Sequence, residues 1–267
     1  MPEKGIMPQR IISLTPSLTE ILFALELGHR VVGVTDSCDY PAEVGDWPNV
    51  ACWFEPDIAK LLALKPDLVL GLQTAHHQMQ PELESQGIRF ILVNPHTVEG
   101  AIADIARIGD ILGAHEVSER LVSNLRACLS AIDAGVSKIA GESRQTACRI
   151  LDMDDGRFYV AGPLSFQYDI ISRAGGQNVT CSKKEAYPKI TLTQLREWDP
   201  QVIFNCGFDL NATTGIADKP EWRSLKAVQS GKVFTFDCAL TCRTGPRIVD
   251  MVELLFKTLY AGYRGHS

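Results

Sequence analysis

Between His96 and about Ala140 the apolar positions repeat at helical spacing. Ile102, Ile105, Ala106, Ile108 and Ile111 recur every three or four residues, which is the stripe an amphipathic helix presents to a core. Gly113 interrupts the pattern. A second run then places Val117, Leu121, Leu125, Cys128, Leu129 and Ile132 on one stripe, with Glu116, Glu119, Arg120 and Lys138 mostly off it. The pattern predicts two consecutive helices, the second over about 114–140. At 1.5 Å rise per residue that second helix would span roughly 35 to 40 Å.

On both sides of these helices the period alternates between strand and helix. Before them, short β-branched runs at Arg10–Leu14, Val31–Val34, Leu68–Leu70 and Ile88–Val93 alternate with helical runs. Ser17 to Glu20 reads as a capping box ahead of Ile21, Leu22 and Leu25, Pro56–Leu64 as a helix, Gly71–Gln78 as a loop and Pro81–Gln86 as a short helix. After them come strands at Ala147–Met153, Val202–Cys206 and Lys232–Phe236 and a helix at Pro163–Ala174. Thr193 reads as the cap of a short helix, Asp237–Gly245 as a loop, and Pro246 as the first residue of a terminal helix. The alternation predicts α/β architecture with mostly parallel sheets: an N-terminal lobe over 1–97, connecting helices over 98–140, and a C-terminal lobe over 141–267 that repeats the first. A single-domain sheet protein with one long surface helix is the alternative.

Composition narrows the function. The chain has 267 residues, enough for two lobes that each bury a core. Its 26 Lys and Arg stand against 32 Asp and Glu, a formal charge of -6, with no basic run. Nucleic acid is therefore not expected as a partner, because phosphate binding needs concentrated positive charge. The sequence MPEKGIMPQR lacks a basic region, an apolar core and a cleavage site, and no apolar stretch is long enough to cross a membrane. A cytoplasmic protein is expected, or an extracytoplasmic one if a leader is removed. No G-x-S-x-G elbow, P-loop or H-E-x-x-H occurs, and Gly175-Gly176 lacks the third glycine of a dinucleotide fingerprint; no enzyme is expected. Among eight cysteines there is no C-x-x-C pair. Cys128 and Cys148 read as core residues, whereas Cys38, Cys52, Cys206, Cys238 and Cys242 fall at strand ends or in the loops after them.

The blocks RIISLTPSLTEILFALELGHRVVGVTDSCDYP, EPDIAKLLALKPDLVLG, QGIRFILVNP, AGGQNV, ITLTQLREWDPQVIF and W-x-S-L-x-A-V-Q-S-G-K-V run in order from Arg10 towards Leu259. Together they resemble the class III solute-binding proteins, the helical-backbone binders of cobalamin, iron-siderophore and haem that serve ABC importers. The likeness is greatest to the cobalamin-binding branch, and in particular to signal-less members with loops like Cys38–Pro41, Cys206–Leu210 and Gly245–Arg247. The resemblance implies two Rossmann-like lobes joined by a long backbone helix, with a small-molecule ligand in the cleft between them.

A corrin ring calls for aromatic faces and a few polar contacts. The candidate ligand-binding residues are Pro16 and Ser17, as a helix N-terminus offering backbone N–H groups, then Tyr40, Trp53, Phe54, Phe166, Phe208, Arg243 and Arg247, with Phe158 and Trp222 as further aromatics. Tyr40 and Trp53 fall on positions matching the family's ligand loops. The resemblance also implies a permease partner docked through one acidic residue per lobe. Here Glu82 or Glu84 and Glu221 are the candidates, while His or Gln stands near the first expected acid. His76 and His77 suit an axial or free metal. The cysteines at 38, 52, 206, 238 and 242 suit an iron-sulfur cluster or a soft transition metal if they converge. The expected ligand is a cobalamin-like corrinoid, for ABC-type uptake or intracellular carriage and sensing; the alternatives are a cysteine-ligated cluster or metal, and haem or an iron-siderophore.

Overall fold

The computed structural model describes residues 7–50, 52, 54–154, 157–207 and 219–260. They form two compact units. The first comprises Met1–Pro95 with Glu99–Leu125, the second His96–Val98 with Arg126–Ser267.

In the first unit the order is β1 (Ile11–Ser13), α1 (Pro16–Ala24), β2 (Val31–Val34), α2 (Ile58–Ala63), β3 (Leu68–Leu72), α3 (Gln73–His76), α4 (Gln80–Ser85), β4 (Arg89–Val93) and α5 (Val98–Ile111). The strands make a four-stranded sheet in the order β2-β1-β3-β4, and every pairing is parallel. Ile11 and Ile12 of β1, and Leu68, Val69 and Leu70 of β3, are fully buried, because the central strands of a parallel sheet are covered on both faces. Ile12, Leu14, Leu61, Val69, Met79 and Leu83 build the core on one side.

Helix α6 (His115–Val136) follows α5 after one turn and supplies residues to both units. Gly113, at φ +72°, takes the left-handed conformation that ends α5. The Ala114 N–H donates to the Gly109 carbonyl at 2.8 Å, closing the turn between the helices. The helix stops at Val136, short of Ala140, giving about 33 Å. Its buried stripe is Ser118, Val122, Leu129 and Ile132, and Cys128 is exposed. Cys128 lies about 100° round the helix from Leu129, on the exposed side of the stripe's edge.

The second unit runs β5 (Thr146–Asp154), β6 (Arg157–Val160), α7 (Phe166–Arg173), β7 (Gln177–Asn178), β8 (Lys189–Thr191), α8 (Leu192–Trp198), β9 (Val202–Gly207), α9 (Lys226–Gln229), β10 (Val233–Asp237), α10 (Cys238–Thr241) and α11 (Ile248–Leu259). Strands β10, β9, β5 and β7 are parallel. Beyond Arg149, however, β5 pairs antiparallel with β6, and β6 with β8. The second unit therefore does not repeat the first. Its core includes Phe158 packed edge-on against Trp222, with ring centroids 5.0 Å apart.

Several local expectations shift. Thr15, not Ser17, caps α1: its Oγ1 accepts from the Leu18 N–H at 3.4 Å, and Pro16 takes the first helical position. Thr191 rather than Thr193 caps α8, and α11 starts at Ile248, two residues after Pro246. The segments 71–78 and 237–245, read as loops, each carry a one-turn helix.

At the α5–α6 crossing, a Cβ on Gly109 would lie 2.3 Å from the Ser118 Cβ. Neither backbone helix can yield there without opening the core. Gly109→Ala is expected to lower stability by about 1–3 kcal/mol, read by chemical denaturation against an exposed-site control, Gly87→Asn, which keeps a left-handed conformation.

Candidate functional site

In a parallel sheet every loop that follows a strand's C-terminus emerges on one edge, and ligands bind there. In the first unit the loop after β2 spans residues 35–57 and carries Cys38, Tyr40 and Phe54. Tyr40 is 48% exposed and Phe54 61%, among the few large apolar side chains the described surface shows. Trp53 lies outside the described residues. Cys38 is buried: the Thr19 hydroxyl donates to its Sγ at 3.2 Å, and Thr35 Oγ1 lies 3.4 Å from it. Cys52 is exposed, 4.0 Å from the Glu55 carbonyl. Pro16 has no N–H to offer. Ser17 is buried with its Oγ 3.2 Å from Thr15 Oγ1.

His76 is fully buried, and its Nδ1 accepts from the Leu72 N–H at 3.0 Å, which satisfies a free donor at the start of α3. His77 Nδ1 lies 3.0 Å from the Gln73 carbonyl. Each histidine thus spends one ring nitrogen on the backbone. Glu82 and Glu84 are exposed on α4, where Glu84 accepts from Gln80 at 2.7 Å; Glu221 is exposed in the second unit.

The second unit's aromatics divide differently. Phe158 and Trp222 pack in the core, and Phe166 is buried on α7. Phe208 lies outside the described residues. Arg243 and Arg247 are half-buried near the start of α11. Two residues that sequence reasoning passed over are exposed instead, Leu164 at 56% and Tyr187 at 43%. The Tyr187 hydroxyl donates to Gln167 Oε1 at 3.1 Å. The dipeptide Tyr187-Pro188 matches Tyr40-Pro41 and was the available signal.

The densest chemistry lies where β9 and β10 end. Their parallel register sets Cys206 opposite Phe236. Strand β10 then turns at Asp237 directly into α10, which begins with Cys238. One helical turn on, the Cys242 N–H donates to the Cys238 carbonyl at 3.0 Å. This returns Cys242 to Cys206, with Sγ atoms 3.3 Å apart. The sulfurs of Cys206, Cys238 and Cys242 all lie within 4.8 Å of one another, the only such group of three or more metal-ligand side chains among the described residues. The structure thus brings together three of the five candidate cysteines, and this group includes neither histidine.

Beneath them sits Arg149, which the sequence reading missed. It is paired with Phe204 across β5 and β9, and Cys206 is two residues further along β9, so all three share a face. Arg149 is 1% exposed, and its Nη2 donates to Cys206 Sγ at 3.4 Å and to Cys242 Sγ at 3.2 Å. Among the described residues its Nε and Nη1 have no hydrogen-bond partner. With Gln167, Ile170, Phe204, Thr241 and Met251 it surrounds a space that leaves no room for water. A buried guanidinium without a carboxylate is costly, and ionising a neighbouring thiol offsets that cost.

The thiols differ accordingly. The hydrogen bond from Cys242 holds Cys206 down at about 7, against the penalty of burial and with help from Arg149. Cys242 is pushed up, chiefly because its proton is held in that same bond. Burial raises Cys238, and burial alone pushes the core thiol Cys148 up to about 12.

Residues 11–240 match the family model described as periplasmic binding protein. The chain belongs to that family. It is 28% identical over 257 residues to an uncharacterized ABC transporter substrate-binding lipoprotein, YvrC, of Bacillus subtilis (strain 168), covering 95% of this chain and 80% of that one. It is 26% identical over 255 residues to a vitamin B12-binding protein of Vibrio cholerae, covering 94% and 88%. The periplasmic heme-binding protein RhuT of Roseiflexus sp. RS-1 superposes with a TM-score of 0.84 at 23% identity, over 95% of this chain and 98% of that one. The chain is a solute-binding protein of this family, built on its two-unit α/β fold with a long connecting helix.

Alkylation of Cys206 is expected to accelerate as pH rises through about 7, because the thiolate is the nucleophile. In Cys242→Ala the donor is gone and the midpoint moves up towards the ordinary thiol range. Peptide-resolved mass spectrometry of iodoacetamide adducts across pH 5–10 checks both.

Proposed function

We propose that this protein is a non-enzymatic receptor for a cobalamin-like corrinoid, delivered to an ABC-type permease or carried as a bound ligand. The observation that carries the reading is the exposure of Tyr40 and Phe54 on the loop after β2, at the edge where a parallel sheet receives ligands. A corrin is a broad, mostly apolar ring fringed with amides. Exposed aromatic faces suit the ring, and nearby hydroxyl and amide groups suit the fringe. In the second unit Tyr187, held by Gln167, offers the same combination. The vitamin B12-binding relative, aligned over most of both chains, supports the corrinoid reading. Glu82 or Glu84 and Glu221, exposed one set to each unit, are suited to pairing with basic side chains of a permease.

Calorimetric titration of the purified chain with cyanocobalamin is expected to show one site per chain. Tyr40→Ala and Phe54→Ala are each expected to weaken it about tenfold, or about 1.4 kcal/mol. Haem is titrated in parallel. Saturable haem binding with no response to cobalamin would overturn the corrinoid reading.

A further inference from the structure

We propose that Cys206, Cys238 and Cys242 form a tri-thiolate site for a divalent, thiophilic metal ion of the zinc type, with Arg149 as its charge-balancing partner. The proposal does not depend on the corrinoid assignment, although Tyr187, one of the aromatics assigned to the corrinoid, lies close enough to Arg149 and Cys242 to feel their charges.

Three sulfurs bound to one ion at about 2.3 Å sit about 3.8–4 Å apart. The three Sγ atoms already lie within 4.8 Å of one another, and the Cys206–Cys242 pair, at 3.3 Å, needs only to open slightly. Two ligands come from one turn, positions 238 and 242, and the third from the adjacent parallel strand, so small side-chain rotations suffice. Their surface position leaves an entry path: Cys242 is exposed, and Cys206 and Cys238 are half-exposed.

Ligand chemistry narrows the ion. Three thiolates exclude hard cations such as Mg²⁺ and Ca²⁺, which take oxygen ligands. Iron-sulfur clusters are ordinarily held by four cysteines, and only three gather here among the described residues.

Charge then selects the valence. On binding, three S–H bonds give up protons to solvent and three sulfur–metal bonds form, with no change in oxidation state. A divalent ion with three thiolates carries one net negative charge, and the buried Arg149 guanidinium carries one positive charge, so the assembly is neutral. A monovalent ion would leave an excess negative charge. Arg149 is the independent sign of a bound group. It is buried, aimed at two of the sulfurs, and short of partners at Nε and Nη1. The protein places no carboxylate against it in a salt bridge among the described residues.

The test uses the full chain, reduced and stripped with chelator, with no corrinoid present. Cd(II) is added while the sulfur-to-metal charge-transfer absorption is followed, and Zn(II) is titrated against a chromophoric chelator. One ion per chain is expected, with release of about three protons at pH 6. Cys206→Ser, Cys238→Ser and Cys242→Ser should each abolish the tri-thiolate absorption. Arg149→Gln should weaken Zn(II) binding about 10–100-fold, and Cys128→Ser, on the exposed face of α6, should change nothing. Circular dichroism confirms that each variant is folded. Metal uptake that survives in all three serine variants would overturn the site. So would a reduced protein that takes up no ion and only oxidises to a Cys206–Cys242 disulfide. Cobalamin calorimetry on the same variants keeps this result separate from the corrinoid reading, since either can fail alone.

Discussion

Parallel pairing constrains both units more than any other feature. Strands such as β1, β3 and the first half of β5 are covered on both faces, so their side chains are committed to the core and any solute chemistry must emerge at their C-terminal ends. That is where Tyr40, Phe54 and the thiols of Cys206, Cys238 and Cys242 are found. Arg149 is the exception. It stands in the middle of a buried strand, and because strand positions alternate in direction, its side chain runs under the sheet's edge to meet Cys206.

The electrostatics of the thiol cluster follow from that placement. In water a guanidinium is well solvated; at 1% exposure it must take its stabilisation from its neighbours. Thiols are weak acceptors and thiolates are strong ones. The protein therefore stabilises negative charge at Cys206 while Cys242 keeps its proton in the hydrogen bond between them. Burying a cation in mid-strand, beneath thiols at the neighbouring strand end, thus sets a polar function into an apolar scaffold without adding a carboxylate.

Much of this was legible in sequence because it depends on periodicity. The strand and helix alternation, the break at Gly113 and the long following helix all rest on local repeats, and blocks from Arg10 to Leu259 carried the family. What escaped was decided by contacts distant in sequence or by single-residue phase. Cys128 and Leu129 are both apolar and adjacent, and the local period does not tell which of them faces inward; the structure buries Leu129. Phe158 and Trp222 are 64 positions apart, and nothing local shows that they bury each other. Ser17 fits a capping pattern, yet Thr15 caps because Pro16 fixes the first helical position. The convergence of residues 206, 238 and 242 needed the register of β9 against β10, and Arg149 sat unnoticed in a run of strand formers.

Helix α6 has a thermodynamic meaning beyond connecting the units. Residues 115–125 belong to the first and 126–136 to the second, yet one continuous backbone hydrogen-bond ladder runs through both. A free helix of about eleven residues is marginal in water. If either unit melts, the half-helix it supported loses its packing, and the remaining half frays into the other core. Melting of either unit therefore removes support from the helix that the other also uses, although each has its own sheet and its own core.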